Sequence, residues 1–353
     1  MSVFQRFDRE NDIVENQRTT VSSGLWSGGT GTLTTFFTAS ADATAHVKDV
    51  YKTDPASDTA AEVQFAIGYA SFGGSGSLGN TTDTTAGNRE SAALYRQFAN
   101  VLLPPNTSKF TFTGATSTSD DFYFISFQRA RMREKIDPGN WELNLGSGSL
   151  LLPTAHRGDA IRLIDDSSTN TSPDVNEGGR VFNVVSGSVA SGVANAATIQ
   201  GPGAYGLFYP DLGLMLLNPA TLVSASIVTL ASTNANDNNS KRFFNSIVSG
   251  STALAGTAGT GKYFAARREE EISSTSYFVR VNNKKFNFSS NPTFFTGSDG
   301  SFTQGTFFKD PKTFITQVGL YNDSDELLAI AKLSKPLLNS YAREAIIKVK
   351  LDF

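Results

Sequence analysis

From Phe314 to Phe353 apolar and polar residues alternate with a period of two, in two runs joined by a short polar turn and a third that closes the sequence. The first run reads FITQVGLY (Phe314 to Tyr321), the turn is Asn322-Asp323-Ser324-Asp325, and the second reads ELLAIAKL (Glu326 to Leu333). Successive side chains of a strand point to opposite faces, so such a run buries one face and wets the other. Two of them with a turn between specify an antiparallel hairpin. The third run, Ala345 to Phe353, is a further apolar strand. Termini fray unless tied into a sheet, so an end this rich in Ile, Val, Leu and Phe is expected to be docked. The pattern points to a part in an assembly rather than a catalyst.

The remaining composition agrees with strands. Charged residues make up 18% of the chain, below the usual quarter, while 31 glycines and 27 phenylalanines with abundant Ser, Thr and Asn fill the space. Phe, Tyr, Val and Thr suit pleated, half-buried surfaces, and helix formers are scarce. The expected fold is mainly β with a minor α component (α+β), built as several β-sandwich or antiparallel-sheet modules with extended arms. At 353 residues there is room for two or three domains, or for one large domain with inserts.

Four segments follow from the breaks in the pattern. Residues 1–35 read as an extended N-terminal arm, because the glycines around Trp26 (SSGLWSGGTGT) do not hold regular structure. Trp26 either anchors on a neighbouring subunit or packs on its own domain. Residues 36–150 form an α+β domain with strands at Leu33 to Phe37, Glu62 to Tyr69, Lys109 to Thr113, Phe122 to Arg129 and Trp141 to Leu145. Its helix is Arg89 to Leu103, stopped by Pro104-Pro105, with Ala93, Tyr95, Phe98, Val101 and Leu102 as the apolar face. Asp137-Pro138-Gly139-Asn140 is a turn signal.

Residues 151–240 form a β-rich middle domain. Its strands are Ala160 to Ile164 and Arg180 to Val185, with a second hairpin at Gly203 to Tyr209 and Gly213 to Leu217 around Pro210-Asp211. A short helix is possible over 219–231, and Ser232 to Ser240 is the clearest break. Residues 241–353 form a C-terminal antiparallel β domain, with one or two helical turns at Phe243 to Val248. Strands are expected at Lys262 to Arg267, Ser276 to Val281 and Lys285 to Phe288, followed by the closing hairpin.

Chemistry is nearly silent. With no cysteine, disulfides, thiolate metal sites and a cysteine nucleophile are excluded. His46 and His156 stand far apart and read as surface residues, which leaves no triad or multi-histidine site. Gly256 to Lys262 (GTAGTGK) matches seven places of a phosphate-binding loop, but the eighth is Tyr263 where a hydroxyl must meet Mg²⁺, so it reads as a small-residue loop. Arg157-Gly158-Asp159 reads as a turn. Asp299-Gly300 and the Asn322 to Asp325 run lack the register of a calcium loop. The doublets Asp120-Asp121 and Asp165-Asp166 and the triplet Glu269-Glu270-Glu271 place neighbours on opposite faces of a strand and read as solvated edges. The basic cluster Gln128 to Lys135 reads as an interface or a strand end. No enzymatic activity and no cofactor are expected.

Thirty basic against 33 acidic residues, spread along the chain, leave no polyanion-binding footprint, so nucleic acid is not an expected partner. The N-terminus lacks an apolar signal-peptide core and no run approaches eighteen apolar residues, so the expectation is a soluble protein without a membrane span.

Two segments carry a resemblance: Tyr277 to Phe294 (YFVRVNNKKFNFSSNPTF) and Lys312 to Phe353 with its core TFITQVGLYNDSDELLAIAKLSKPL. They resemble the carboxy-terminal parts of virion structural proteins of T4-like tailed phages, especially those infecting cyanobacteria, and the opening MSVFQRFDREND resembles the start of such proteins. The resemblance covers about a third of the chain and its motifs are structural. It implies a virion tail or baseplate component made in the host cytoplasm, present as a homo-oligomer or in multiple copies, with other tail and baseplate proteins as partners. Neck, collar or capsid-surface proteins and a glycan-binding protein at a fibre tip are the alternatives. The candidate interface residues are Trp26, Phe314, Tyr321 and Phe353.

Overall fold

Period-two patterning becomes strand over 47% of the chain and helix over 15%, so the molecule is mainly β with a minor α component. The computed structural model describes residues 4–39, 45–76, 89–112, 118–149, 152–189, 198–199, 205–230, 238–253, 264–296 and 299–353. In chain order the first elements are α1 (Arg9–Asp12), β1 (Ile13–Gly24), β2 (Thr32–Leu33), β3 (Val47–Tyr51), β4 (Val63–Ser71), α2 (Glu90–Leu102), β5 (Asp121–Phe127) and α3 (Arg129–Met132). Next come β6 (Lys135–Ser149), β7 (Leu152–Asp165), β8 (Asp174–Asn176), β9 (Gly179–Ser188), β10 (Thr198–Ile199), β11 (Gly206–Tyr209) and β12 (Leu214–Leu217). The last are α4 (Pro219–Ser224), α5 (Asn238–Ala253), β13 (Phe264–Val281), β14 (Phe295–Thr296), β15 (Ser301–Phe302), β16 (Thr313–Tyr321), β17 (Leu327–Asn339) and β18 (Ala345–Asp352). They form two compact units, one from Val21–Glu270 and a smaller one from Met1–Thr20 with Glu271–Phe353.

In the larger unit an antiparallel sheet runs β13-β6-β7-β9-β11-β12-β5-β4-β3. Strand β5, third from the β3 edge, is apolar at most positions, and both its faces are covered. Tyr123, Ile125 and Phe127 enter one core with Phe243 and Ile247 of α5, while Phe122 and Phe124 enter another with Tyr95 and Leu102 of α2. A strand buried on both faces needs this continuous apolar run instead of alternation. Helix α2 ends at Leu102 because Leu103, before Pro104, is extended (φ −110°, ψ 149°). Its buried face is Ser91, Ala92, Tyr95, Ala99 and Leu102; Val101, expected inside, is 55% exposed.

Several sequence expectations change. Asp137 to Asn140 lies inside β6 instead of ending a strand. Between the pairs Ala266↔Trp141 and Arg268↔Ile136, β6 carries the extra residues and they bulge out of the ladder, with Gly139 at φ +77°. The Asp165 carboxylate receives Gly139 N–H at 2.7 Å and Ser167 N–H at 2.9 Å, and so pins the bulge. Asp165 is buried, not a solvated edge, and desolvation raises its pKa. The RGD tripeptide lies in β7 and is not a turn. Residues 264 to 281 are one strand where two were expected, Lys285 to Phe288 is not a strand, and α5 is longer than two turns. The 150/151 break falls between β6 and β7, which pair from Leu143↔Leu163 to Ser149↔Leu152.

Of the two destinations left open for Trp26, the structure shows the internal one. It is 1% exposed, with ring centroids 5.2 Å from Phe264 and 5.7 Å from Phe65, inside the larger unit's main core. The residues Ile13–Gly24 before it form strand β1.

The smaller unit repeats the period-two logic in two layers. Strand β18 pairs with β13 from Ser274↔Asp352 to Val281↔Ala345, not with the hairpin β16–β17, which is a separate two-stranded sheet. Val281, Ile347 and Val349 of the first sheet meet Val318 and Leu320 of the hairpin in a third core. The docked terminus is borne out in its backbone: Phe353 N–H donates to Ser273 C=O at 2.9 Å, while its side chain is 74% exposed. A bulge between Ile315 and Gln317 shifts the parity by one, which keeps Thr313 and Ile315 on the same side as Val318 and Leu320.

Two measurements test this packing. Trp26→Ala should cost about 3–5 kcal/mol in urea denaturation of the isolated chain, because no neighbour is needed to bury the indole. Arg180 forks onto Asp211, Nη2 to Oδ1 at 2.8 Å and Nε to Oδ2 at 3.2 Å, and holds that carboxyl below its ordinary range. A depressed carboxyl contributes stability above the unfolded pKa, about 3.9, and loses it as pH falls through the lower folded value. Asp211→Asn should therefore be less stable than the parent at pH 7, and the difference should shrink below about pH 4.

Candidate interaction surface

Side chains with catalytic potential are mostly tied into the scaffold. The basic cluster after β5 is neutralised within the larger unit: Arg131 meets Glu62 at 2.9 Å, Arg133 meets Glu270 at 3.0 Å and Lys135 meets Glu269 at 3.1 Å. The glutamate triplet is thus an ion-pair partner, with Glu271 joined to Arg18 at 3.3 Å. His46 is 8% exposed and not a surface residue; its Nε2 lies 3.2 Å from Glu90 Oε2 in the first turn of α2. Asp166 accepts from Asn183 N at 3.0 Å and Nδ2 at 2.7 Å. Among the described residues no group of three or more His, Cys, Asp or Glu is placed to hold a metal ion, and no helix is long and apolar enough to cross a membrane. The Gly256 to Lys262 loop lies outside the described residues, as does the His156 side chain.

What stands out chemically is bare apolar surface on the smaller unit. In the hairpin, Phe314 is 63% exposed, Leu328 69% and Ile330 54%. Gly319, opposite Ile330, leaves room for Tyr321: a Cβ there would come within 2.8 Å of Tyr321 Cε2 and 3.2 Å of Leu327 Cδ1. Tyr321 therefore lies across the strand, half-exposed, and meets the edge of Phe4 at 4.8 Å between centroids. The turn that closes the hairpin is held by Asn322, whose Oδ1 accepts from Ser324 N at 3.0 Å and Glu326 N at 2.8 Å. This is turn chemistry, as expected.

The open strand edges are guarded where the faces are not. Among the described residues β16 and β17 pair only with each other, and β17 carries Lys332, Lys335 and Pro336. Strand β18 exposes Lys348 and Lys350. Lysine and proline disfavour strand addition at an edge, so these edges are poor templates for backbone pairing.

A second exposed area escaped the sequence reading. Seven phenylalanines fall between residues 286 and 308, around Phe294, which is 4% exposed. Phe294 stacks on Phe307 at 5.1 Å and meets the edge of Phe302 at 5.6 Å; Phe288 stacks on Phe295 at 5.8 Å. Phe286 has φ +58°, a costly conformation for a bulky residue. Asn339 supports it by donating to Lys285 C=O and Asn287 Oδ1, both at 2.9 Å. Phe288 and Phe308 remain 58% and 80% exposed. The density of phenylalanine in a polar Ser/Asn/Gly background was the available signal.

Phe314, Tyr321 and Phe353 are thus accessible side chains of the smaller unit, while Trp26 belongs to the core of the larger. Replacing outward residues should separate surface from scaffold. Leu328→Ser and Ile330→Ser should each change stability by less than about 0.5 kcal/mol, whereas Leu320→Ala should cost about 2–5 kcal/mol in the same denaturation experiment.

No protein family, no curated protein sequence and no solved structure matches this chain.

Proposed function

We propose that the chain is a non-enzymatic structural protein of a contractile phage tail, a baseplate component or fibre-attachment adaptor that works through protein–protein interfaces. The phage reading rests on the resemblance of Tyr277 to Phe294 and Lys312 to Phe353. The observation that carries the interface reading is the row of exposed apolar side chains on β16–β17, Phe314, Tyr321, Leu328 and Ile330, beside strand edges blunted by lysine and proline. Exposed apolar side chains grouped on one strand pair are a feature of association sites. A neck, collar or capsid-surface protein would use the same surface in another position.

Surface substitution is the clean test, because deleting the first thirty residues would also remove Trp26 from the core. Particles assembled with a chain carrying Leu328→Asp and Ile330→Asp should lose it from the purified virion by mass spectrometry, while the variant stays folded. Normal incorporation would sink the proposal.

The exposed phenylalanines at 286, 288 and 308 favour a second reading, a surface that stacks on sugar rings at a fibre tip. A glycan array on the purified protein separates the two. Binding that disappears with Phe288→Ala and Phe308→Ala would replace the first reading, and a blank array leaves the interface reading in place.

A further inference from the structure

At one end of the β4–β5 pair, Tyr69 lies opposite Tyr123 and Ser71 opposite Asp121, so four polar side chains share one face. The Tyr123 ring is clamped, stacked on Phe243 of α5 at 4.7 Å and 5.4 Å from Tyr69, and the residue is fully buried. Burial raises the Tyr69 pKa and the neighbouring Asp121 carboxylate adds to the rise. Two atoms of the cluster are enclosed and have no protein partner: the Tyr123 hydroxyl and Asp121 Oδ1. One is a donor as well as an acceptor, and the other is an acceptor only. Residues two apart on a strand point to the same side, which puts both orphans toward the same corner of the core. Burial raises the Tyr123 pKa, the Arg242 charge opposes it, and the Asp121 charge adds to the rise, which agrees with that proximity.

We infer that the Tyr123 hydroxyl and Asp121 Oδ1 jointly bind one internal water molecule. Buried polar atoms are almost always satisfied, and water is the smallest group that can donate to the carboxylate while it pairs with the phenol. A side-chain rearrangement does not serve instead, because Phe243 and Tyr69 hold the Tyr123 ring from either side.

A high-resolution crystal structure of the full chain decides this directly. One solvent peak within about 2.5–3.2 Å of both oxygens is expected. A direct contact between the two oxygens, or a peak with a full shell of oxygen ligands at metal distances, overturns the assignment. Tyr123→Phe adds a solution measurement: its folding equilibrium constant should fall roughly 5- to 30-fold, because the water loses a partner. A variant as stable as the parent, or more so, would show that the hydroxyl was unpaired and would refute the site. If Tyr123→Phe does not fold, the solvent peak alone carries the decision.

Discussion

Strand β5 exists only because two hydrophobic layers enclose it. Alternate residues, Tyr123, Ile125 and Phe127 against Phe122 and Phe124, enter different cores, so neither face touches water. The immediate neighbours β4 and β12 are buried almost throughout, whereas β3 at the sheet edge alternates. Helices α2 and α5 owe their places to the same demand, since their apolar faces supply what β5 lacks on each side. Buried polar groups such as Tyr123 and Asp165 are tolerated where this scaffold or a hydrogen bond holds them.

The smaller unit follows a simpler rule. A three-stranded arrangement around β13 and the β16–β17 ribbon each bury one face against the other, and the outer face of the ribbon remains apolar. Burying an apolar side chain is worth about 1.5–3 kcal/mol, and Leu328, Ile330 and Phe314 forgo most of that in the isolated chain. Their placement makes sense if another surface supplies the missing layer.

Much of this was legible in the chain. The hairpin at 314–333, the Pro210-Asp211 hairpin, the strands at β4, β5 and β9 and helix α2 follow directly from period and turn residues, because local pattern and tertiary context agree there. What failed depended on partners distant in sequence. The DPGN bulge reads as a turn until Asp165 is seen to capture Gly139, and β18 reads as the hairpin's third strand until β13 claims it by register. Trp26 sits in a glycine-rich stretch whose local sequence offers no strand, yet the rings of Phe65, Phe127 and Phe264 determine its fate. The accessible residues Phe314, Tyr321 and Phe353 were visible because alternation assigns them a face; which face would be wet was not.

Only the larger unit is contiguous in sequence, from Val21 to Glu270; the smaller is assembled from the segments on both sides of it. A nascent chain can therefore complete the larger unit on the ribosome while the smaller one still lacks β16, β17 and β18. The part of β13 that receives β18, and Phe7 in the same core, must wait until β18 emerges. The exposed apolar face of β16–β17 therefore forms only after every residue of the larger unit has been made.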